Sequence, residues 1–156
     1  MTLNSGDLAP DFSLPDAEGN TISLADFRGQ WVVLYFYPRD STPGCTKEAC
    51  GFRDIYSEYQ SRKIAVLGVS TDGSKSHSKF AAKYGLPFPL LCDCDAAVAT
   101  AYGCWGLKKF MGKEFMGVIR TTFTIAPNGR IEKVYRKLKP EAHAAQVLAE
   151  LPELSP

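Results

Sequence analysis

Two apolar runs bracket a segment of helical period, and nothing else in the chain restricts its fold as strongly. Trp31-Val32-Val33-Leu34-Tyr35-Phe36-Tyr37 is apolar throughout, and Ile64-Ala65-Val66-Leu67-Gly68-Val69 reads the same way. The first is rich in β-branched and aromatic residues, and the second carries three β-branched ones, Ile64, Val66 and Val69. A strand that is apolar at every position, rather than at alternate ones, has to be covered on both faces. Between the runs, residues 44–60 carry Cys45, Ala49, Phe52, Tyr56 and Tyr59 at spacings of 4, 3, 4 and 3, which is one stripe of an α-helix. Strand, helix, strand is a βαβ unit, so the two strands are predicted to run parallel.

The remaining segments extend this unit. Asp11 to Leu14 and Thr21 to Leu24 flank Glu18-Gly19-Asn20 and predict a short N-terminal hairpin. Ser74 to Tyr84 predicts a helix that stops near Gly85 and Pro87, followed by a short extended segment, Pro89 to Cys92. Asp95 to Tyr102 reads as a short helix with Asp95 at its N-cap. Gly103 to Gly117, with scattered glycines and lysines, reads as loop. Thr121 to Ala126 and Arg130 to Tyr135 alternate around Pro127-Asn128-Gly129 and predict a second hairpin. Pro140 to Leu151 predicts a last helix, with Pro140 in its first turn. The order corresponds to an α/β class of fold, a thioredoxin-like sandwich with a mixed central β-sheet flanked by helices. With 156 residues, no repeat and no long linker, residues 1–156 are expected to form a single domain.

The charge balance narrows the partners. Eighteen basic and 17 acidic side chains leave a net charge of +1 with no basic block, so neither nucleic acid nor an anionic membrane is indicated. Residues 1–12 show no signal-peptide pattern, and no apolar stretch is long enough to span a bilayer. The five cysteines, Cys45, Cys50, Cys92, Cys94 and Cys104, are an odd number, which argues against a secreted disulfide framework. A cytoplasmic, reducing setting is expected, where a cysteine is buried and inert, metal-binding or catalytic.

Cys45 stands out among them. Thr42 is a good N-cap and Pro43 a good first helical residue, which places Gly44 and Cys45 where backbone N–H groups lack partners inside the helix. Those groups and the helix dipole favour an anion on sulfur, and the thiolate is the nucleophilic form of cysteine. Cys50 lies five residues further on. In an ideal helix the two Cα atoms are about 8–9 Å apart, beyond the usual disulfide limit of about 7 Å. Either the pair never bonds, or the first turns of the helix unwind when it does. The bland alternative is a small core cysteine behind an ordinary capping sequence.

More than capping is present, however. Pro38-x-x-x-Thr42-x-x-Cys45 resembles the active-site signature of the peroxiredoxins, and Thr42-Pro-Gly-Cys-Thr-Lys-Glu-Ala-Cys50 followed by Phe52-Arg53-Asp54 resembles their bacterioferritin comigratory protein, or peroxiredoxin Q, branch. The likeness extends to residues 6–12 (GDLAPDF), 84–91 (YGLPFPLL), 102–106 (YGCWG) and 120–123 (RTTF). It implies a thiol peroxidase without metal, haem, flavin or other cofactor, acting on hydrogen peroxide and organic hydroperoxides. On that resemblance Cys45 is the peroxidatic cysteine and Cys50 the resolving one. Pro38, Thr42 and Arg120 are the further active-site residues, and Gly44, Thr42 and Arg120 bind substrate. The implied reductant is thioredoxin, and the implied state is a monomer. Two departures stand against the pattern: Arg39 where this branch often has lysine, and cysteines at 92, 94 and 104, which put in question whether Cys50 is the only thiol able to resolve oxidised Cys45.

The residue types suit peroxide chemistry. Negative charge moves from sulfur across both oxygens as the O–O bond breaks, so fixed donors along that path stabilise the transition state. Arg120 supplies a permanent charge and a planar fork of donors from the start of a strand. The amides of Gly44 and Cys45 can hold the oxygens, the Thr42 hydroxyl can orient them, and Pro38 can shield the sulfur. Glu48, one turn past Cys45, opposes an anion there unless an arginine pairs with it. His77 and His143 read as surface residues, and Trp105 as a buried packing residue, with lining of the active-site mouth as the alternative. Cys92-x-Cys94 with Cys104 does not match a zinc-ligand spacing. The other enzymatic reading, a general disulfide oxidoreductase, lacks the Cys-x-x-Cys it needs. A third reading is non-enzymatic, a binding protein in which Cys45 senses oxidants.

Overall fold

The computed structural model describes residues 3–136 and 138–151. Its centre is a five-stranded sheet of order β5-β4-β3-β8-β9, formed by β3 (Val32–Phe36), β4 (Ala65–Ser70), β5 (Leu90–Cys92), β8 (Thr121–Ile125) and β9 (Ile131–Tyr135). As the apolar runs predict, β3 and β4 pair in parallel, with Val32 opposite Ala65 and Phe36 opposite Val69. β5 continues the parallel half, while β8 lies antiparallel to β3 and β9 antiparallel to β8.

β3 explains why the central run is apolar without interruption. Val32, Leu34 and Phe36 enter one core, shared with Leu67, Val69, Leu91, Phe123 and the N-terminal residues Phe12 and Leu14. Val33, Tyr35 and Tyr37 enter the opposite core, shared with Cys45, Phe52, Tyr59, Phe80 and Val147 from the helices. Every residue of β3 is buried. At about 1.5–3 kcal/mol for each fully buried large apolar side chain, this strand anchors both layers.

Helices cover the second core. α1 (Pro43–Asp54) and α2 (Tyr56–Ser61) follow β3, α3 (Ser74–Tyr84) follows β4, and α5 (His143–Glu150) is the last helix among the described residues. The single helix expected over residues 44–60 is divided at Ile55, whose φ of −119° and ψ of 19° leave the helical region. Beyond that break Tyr59 remains buried, and its hydroxyl donates to the Ala144 carbonyl at 2.7 Å. α3 stops where expected, because Gly85 takes the left-handed conformation (φ 61°) that glycine adopts at least cost. α5 begins at His143, three residues later than expected, with residues 140–142 forming a turn before it.

Two expectations fail here. Gly103 to Gly117 is not loop: β6 (Trp105–Phe110) and β7 (Lys113–Val118) form an antiparallel hairpin. Met111 and Gly112, at φ of 51° and 79°, make its two-residue turn. Both central residues at positive φ define the turn that suits strand twist, and Met-Gly carries a weaker signal for it than Asn-Gly. The short helix α4 (Ala97–Ala101) is held by Asp93 rather than by Asp95. The Asp93 carboxylate accepts from the Val98 and Ala99 amides at 3.1 and 2.8 Å, while Asp95 accepts from Ala97 at 3.1 Å. The N-terminal hairpin is present as β1 (Ser13–Pro15) and β2 (Thr21–Ser23), with Leu24–Phe27 in a 3₁₀ turn after it.

Candidate active site

The carboxyl end of β3 leads through residues 37–42 into α1, and the reactive groups gather there. Cys45 lies in the first turn of α1 and is 1% exposed. Ala49, Phe52 and Tyr59 from the same stripe are buried with it, while Tyr56, beyond the break at Ile55, is half-buried. Thr42 occupies the N-cap, but its hydroxyl does not cap the helix; it donates to the Arg39 carbonyl at 3.1 Å. The first amide bonded back across the turn is that of Thr46, to the Thr42 carbonyl at 2.8 Å. The amides of Gly44 and Cys45 make no backbone bond among the described residues. They form a small donor surface beside the sulfur, of the kind that binds anions at a helix start.

Arg120, the last residue before β8, reaches across to this turn. Its Nη2 lies 3.2 Å from Cys45 Sγ and its Nη1 donates to Glu48 Oε1 at 2.6 Å. One guanidinium thus spans a sulfur and a carboxylate set one helical turn apart. This is the arginine partner that Glu48 was expected to need. Gly44 makes the approach possible: a Cβ there would stand 3.1 Å from Arg120 Nη2. Glu48 itself is 0% exposed, and burial outweighs the attraction of Arg120, raising its carboxyl to about 7. Its second oxygen, Oε2, has no hydrogen-bond partner among the described residues. The Arg120 guanidinium is held more firmly protonated by Glu48 and Cys45, against its own partial burial.

The other named residues are distributed unequally. Pro38 is half-buried at the start of the loop, and Cys50 is half-buried on the same unbroken helix as Cys45. All five cysteines are free thiols. Cys92 and Cys104 are buried, and loss of water pushes both thiols up to about 11, whereas Cys94 is exposed. Trp105 is half-buried and packs on the first core.

His77 and His143 are not surface residues; both are 0% exposed. His143 Nε2 lies 2.8 Å from Thr122 Oγ1 and its ring meets Phe52 and Tyr135 edge-on. Burial, with Arg120 nearby, lowers it to about 4. His77 lies 2.7 Å from Asp40, a residue that sequence reasoning passed over. Asp40 is also buried, although it belongs to the loop between Pro38 and Thr42. The misreading has a local cause: Ser74, Lys75, Ser78 and Lys79 around His77 are all exposed, so the helix looks polar along its whole first half.

The site therefore sets a buried sulfur beside a fixed guanidinium, at the start of a helix laid on a mixed sheet. The family model described as AhpC/TSA matches residues 5–134. Peroxiredoxin Bcp of Bacillus subtilis is 45% identical over 155 residues, covering 99% of each chain. Peroxiredoxin Bcp of Escherichia coli K12 is 47% identical over 151 residues, covering 97% of each. Among solved structures, a cysteine-to-serine mutant of PrxQ from Xylella fastidiosa superposes with a TM-score of 0.90 at 36% identity over 96% of both chains. The bacterioferritin comigratory protein of Xanthomonas campestris, solved as trapped intermediate and ligand complexes, gives 0.83 at 40% identity over 88% of both. The chain therefore belongs to the AhpC/TSA family, on a thioredoxin-like fold, and within it to the bacterioferritin comigratory protein or peroxiredoxin Q branch. Its activity is that of a thiol-dependent peroxidase, with a peroxide as oxidising substrate.

Proposed function

We propose that Cys45 is the peroxidatic cysteine of this chain and that Cys50 resolves it, with thioredoxin as the reductant. The observation that carries the reading is the contact of Arg120 with Cys45 Sγ at 3.2 Å. In the first step the sulfur of Cys45 forms a bond to one peroxide oxygen, the O–O bond breaks, and the departing oxygen leaves as hydroxide or alkoxide and takes a proton. Cys45 is left as a sulfenic acid. Arg120 and the amides of Gly44 and Cys45 face the charge that develops on the oxygens, which is where fixed donors lower a barrier. Thr42 orients the peroxide only if its hydroxyl turns from the Arg39 carbonyl, and Pro38 limits access of water. The Cys50 sulfur then attacks the sulfenic sulfur, an S–S bond forms and water leaves. A dithiol reduces that disulfide by exchange and is itself oxidised.

Cys45 and Cys50 share one helix, so the second step needs the early turns of α1 to unwind. Cys92 and Cys104 are poor substitutes for Cys50, because both are buried and hard to ionise. The Xanthomonas campestris relative is described by its alkyl peroxide reduction activity, which supports organic hydroperoxides beside hydrogen peroxide as substrates. A cytoplasmic monomer of one domain is part of the same proposal; no helix among the described residues is long and apolar enough to cross a membrane. The test is peroxide consumption coupled to thioredoxin, thioredoxin reductase and NADPH. Cys45→Ser is expected to abolish turnover, and Arg120→Lys to lower the peroxide step by about 10²-fold, since an ammonium cannot bridge both partners. Peptide mapping after one equivalent of peroxide should find Cys45 joined to Cys50. A bond from Cys45 to Cys92, Cys94 or Cys104 would overturn the resolving assignment.

A further inference from the structure

Asp40 and His77 join the active-site loop to α3 through an ion pair that the peroxide chemistry does not touch. His77 Nδ1 lies 2.7 Å from Asp40 Oδ2, and Nε2 lies 2.9 Å from the Leu91 carbonyl. A carbonyl only accepts, so Nε2 carries a hydrogen. The Asp40 carboxylate already accepts from the Tyr37 hydroxyl at 2.6 Å and from Ser76 at 2.8 Å, so it acts as an acceptor toward Nδ1 as well. Both ring nitrogens then donate, and the ring is an imidazolium. With both engaged, His77 keeps no free ligand atom, although it stands with Asp40 and Asp72 in a cluster of metal-binding residue types.

The loop is fastened a second time at the same residue. The Asp40 amide donates to Asp72 Oδ2 at 2.8 Å, and Asp72 is itself held by the Ser70 hydroxyl at 2.8 Å. The next residue, Ser41, sits at φ 64°, a left-handed conformation costly for a residue with a Cβ. Such a conformation persists only where its surroundings impose it. Thr42 and Pro43 follow directly, so the loop that starts α1 and presents the Gly44 and Cys45 amides is strained on one side and bolted on the other.

We propose that the Asp40–His77 pair is a positioning latch: it holds residues 38–42 in the form that reacts with peroxide and opens when α1 unwinds for disulfide formation. The second half rests on the Cys45–Cys50 reading above. A buried ion pair suits this task because its strength depends on staying dry. Closed, it defines one loop geometry, since losing one partner strands the other charge without water. Once the loop moves and water enters, the attraction collapses to that of a solvated pair, and strain at Ser41 favours release. The groups that face the imidazolium are Asp40, Asp72, the Tyr37 hydroxyl and the Leu91 carbonyl.

The latch makes an unusual kinetic demand, because the two chemical steps need opposite states of the loop. Loosening it by His77→Asn or Asp40→Asn should slow oxidation of Cys45 by peroxide about tenfold or more, and speed disulfide formation from the sulfenic acid several-fold. Stopped-flow oxidation in a Cys50→Ser background measures the first step. Quenching and mass spectrometry of the chain that retains Cys50 measures the second. Ser76→Ala, which removes a bond to Asp40 but leaves the ion pair, should move both rates less than twofold. A fall in both rates together, or no change in either, would overturn the latch. The chain without substitutions supplies a reading free of folding defects: the two His77 ring protons should resist solvent exchange by NMR in the reduced protein and exchange quickly once oxidised. Protection retained in a protein that has formed the Cys45–Cys50 disulfide would also refute the proposal. If that disulfide never forms, the resolving assignment fails instead, and the peroxide step alone still tests the positioning role.

Discussion

Glu48→Gln isolates the electrostatics of the site in one measurement. In the folded chain the Glu48 carboxyl is raised from 4.5 to about 7, because burial costs its charge more than Arg120 returns. In the unfolded chain it ionises near its ordinary value. Between pH 4.5 and 7 the unfolded chain therefore binds fewer protons at this position, and stability falls as pH rises. Each pK unit is worth about 1.4 kcal/mol, so Glu48 should cost the wild-type protein about 3 kcal/mol at pH 8 relative to pH 4.5. The side chain is fully buried, so solvent screening does not reduce this figure. Glutamine keeps an oxygen for the Arg120 Nη1 donor and cannot ionise. The stability of the variant minus that of the wild type should then grow by about 3 kcal/mol from pH 4.5 to pH 8. Urea denaturation of both proteins at half-unit intervals gives that difference, in which titrating groups that do not interact with Glu48 cancel. A difference independent of pH, or one that shrinks toward high pH, would refute the account of Glu48 as a buried carboxyl only partly compensated by Arg120.

Three further outcomes follow from the geometry. Gly44→Ala should leave the fold intact but slow the reaction with peroxide about 10- to 100-fold, because its Cβ would press on Arg120 Nη2 at 3.1 Å; an unchanged rate in stopped-flow assays would contradict that contact. Asp93→Ala should destabilise the protein by about 1–2 kcal/mol, through loss of the bonds to Val98 and Ala99, and denaturant titration would expose a neutral result. His143 is lowered to about 4 in the folded chain, so the unfolded chain takes up a proton first as pH falls below 6.5, and stability is lost between 6.5 and 4. His143→Leu should remove that acid-side loss, which melts at pH 4.5 and 7 would reveal.

Local sequence was enough wherever one segment carried the whole physical reason. The uninterrupted run at 31–37 required a strand covered on both sides, and the 4, 3, 4, 3 stripe required Cys45 to face it. Thr-Pro-Gly before a helical pattern required a helix start at the sulfur. The Met111-Gly112 turn leaves a weaker trace than Asn-Gly, so along the chain the β6–β7 segment reads as loop.

What stayed hidden depended on partners far away in the chain. Glu48 and Arg120 are 72 residues apart, and Asp40 and His77 are 37 apart. Asp40 and His77 look like solvated side chains among their own neighbours, and although Glu48 calls for an arginine and the resemblance marks Arg120, nothing along the chain joins those two. Their burial follows from the sheet order, which sets β8 directly beside β3 and brings α3 against the loop that follows β3. Propensity and period act over a few residues and can be read along the chain. The environment of a charge depends on what packs around it, and only the tertiary structure decides that.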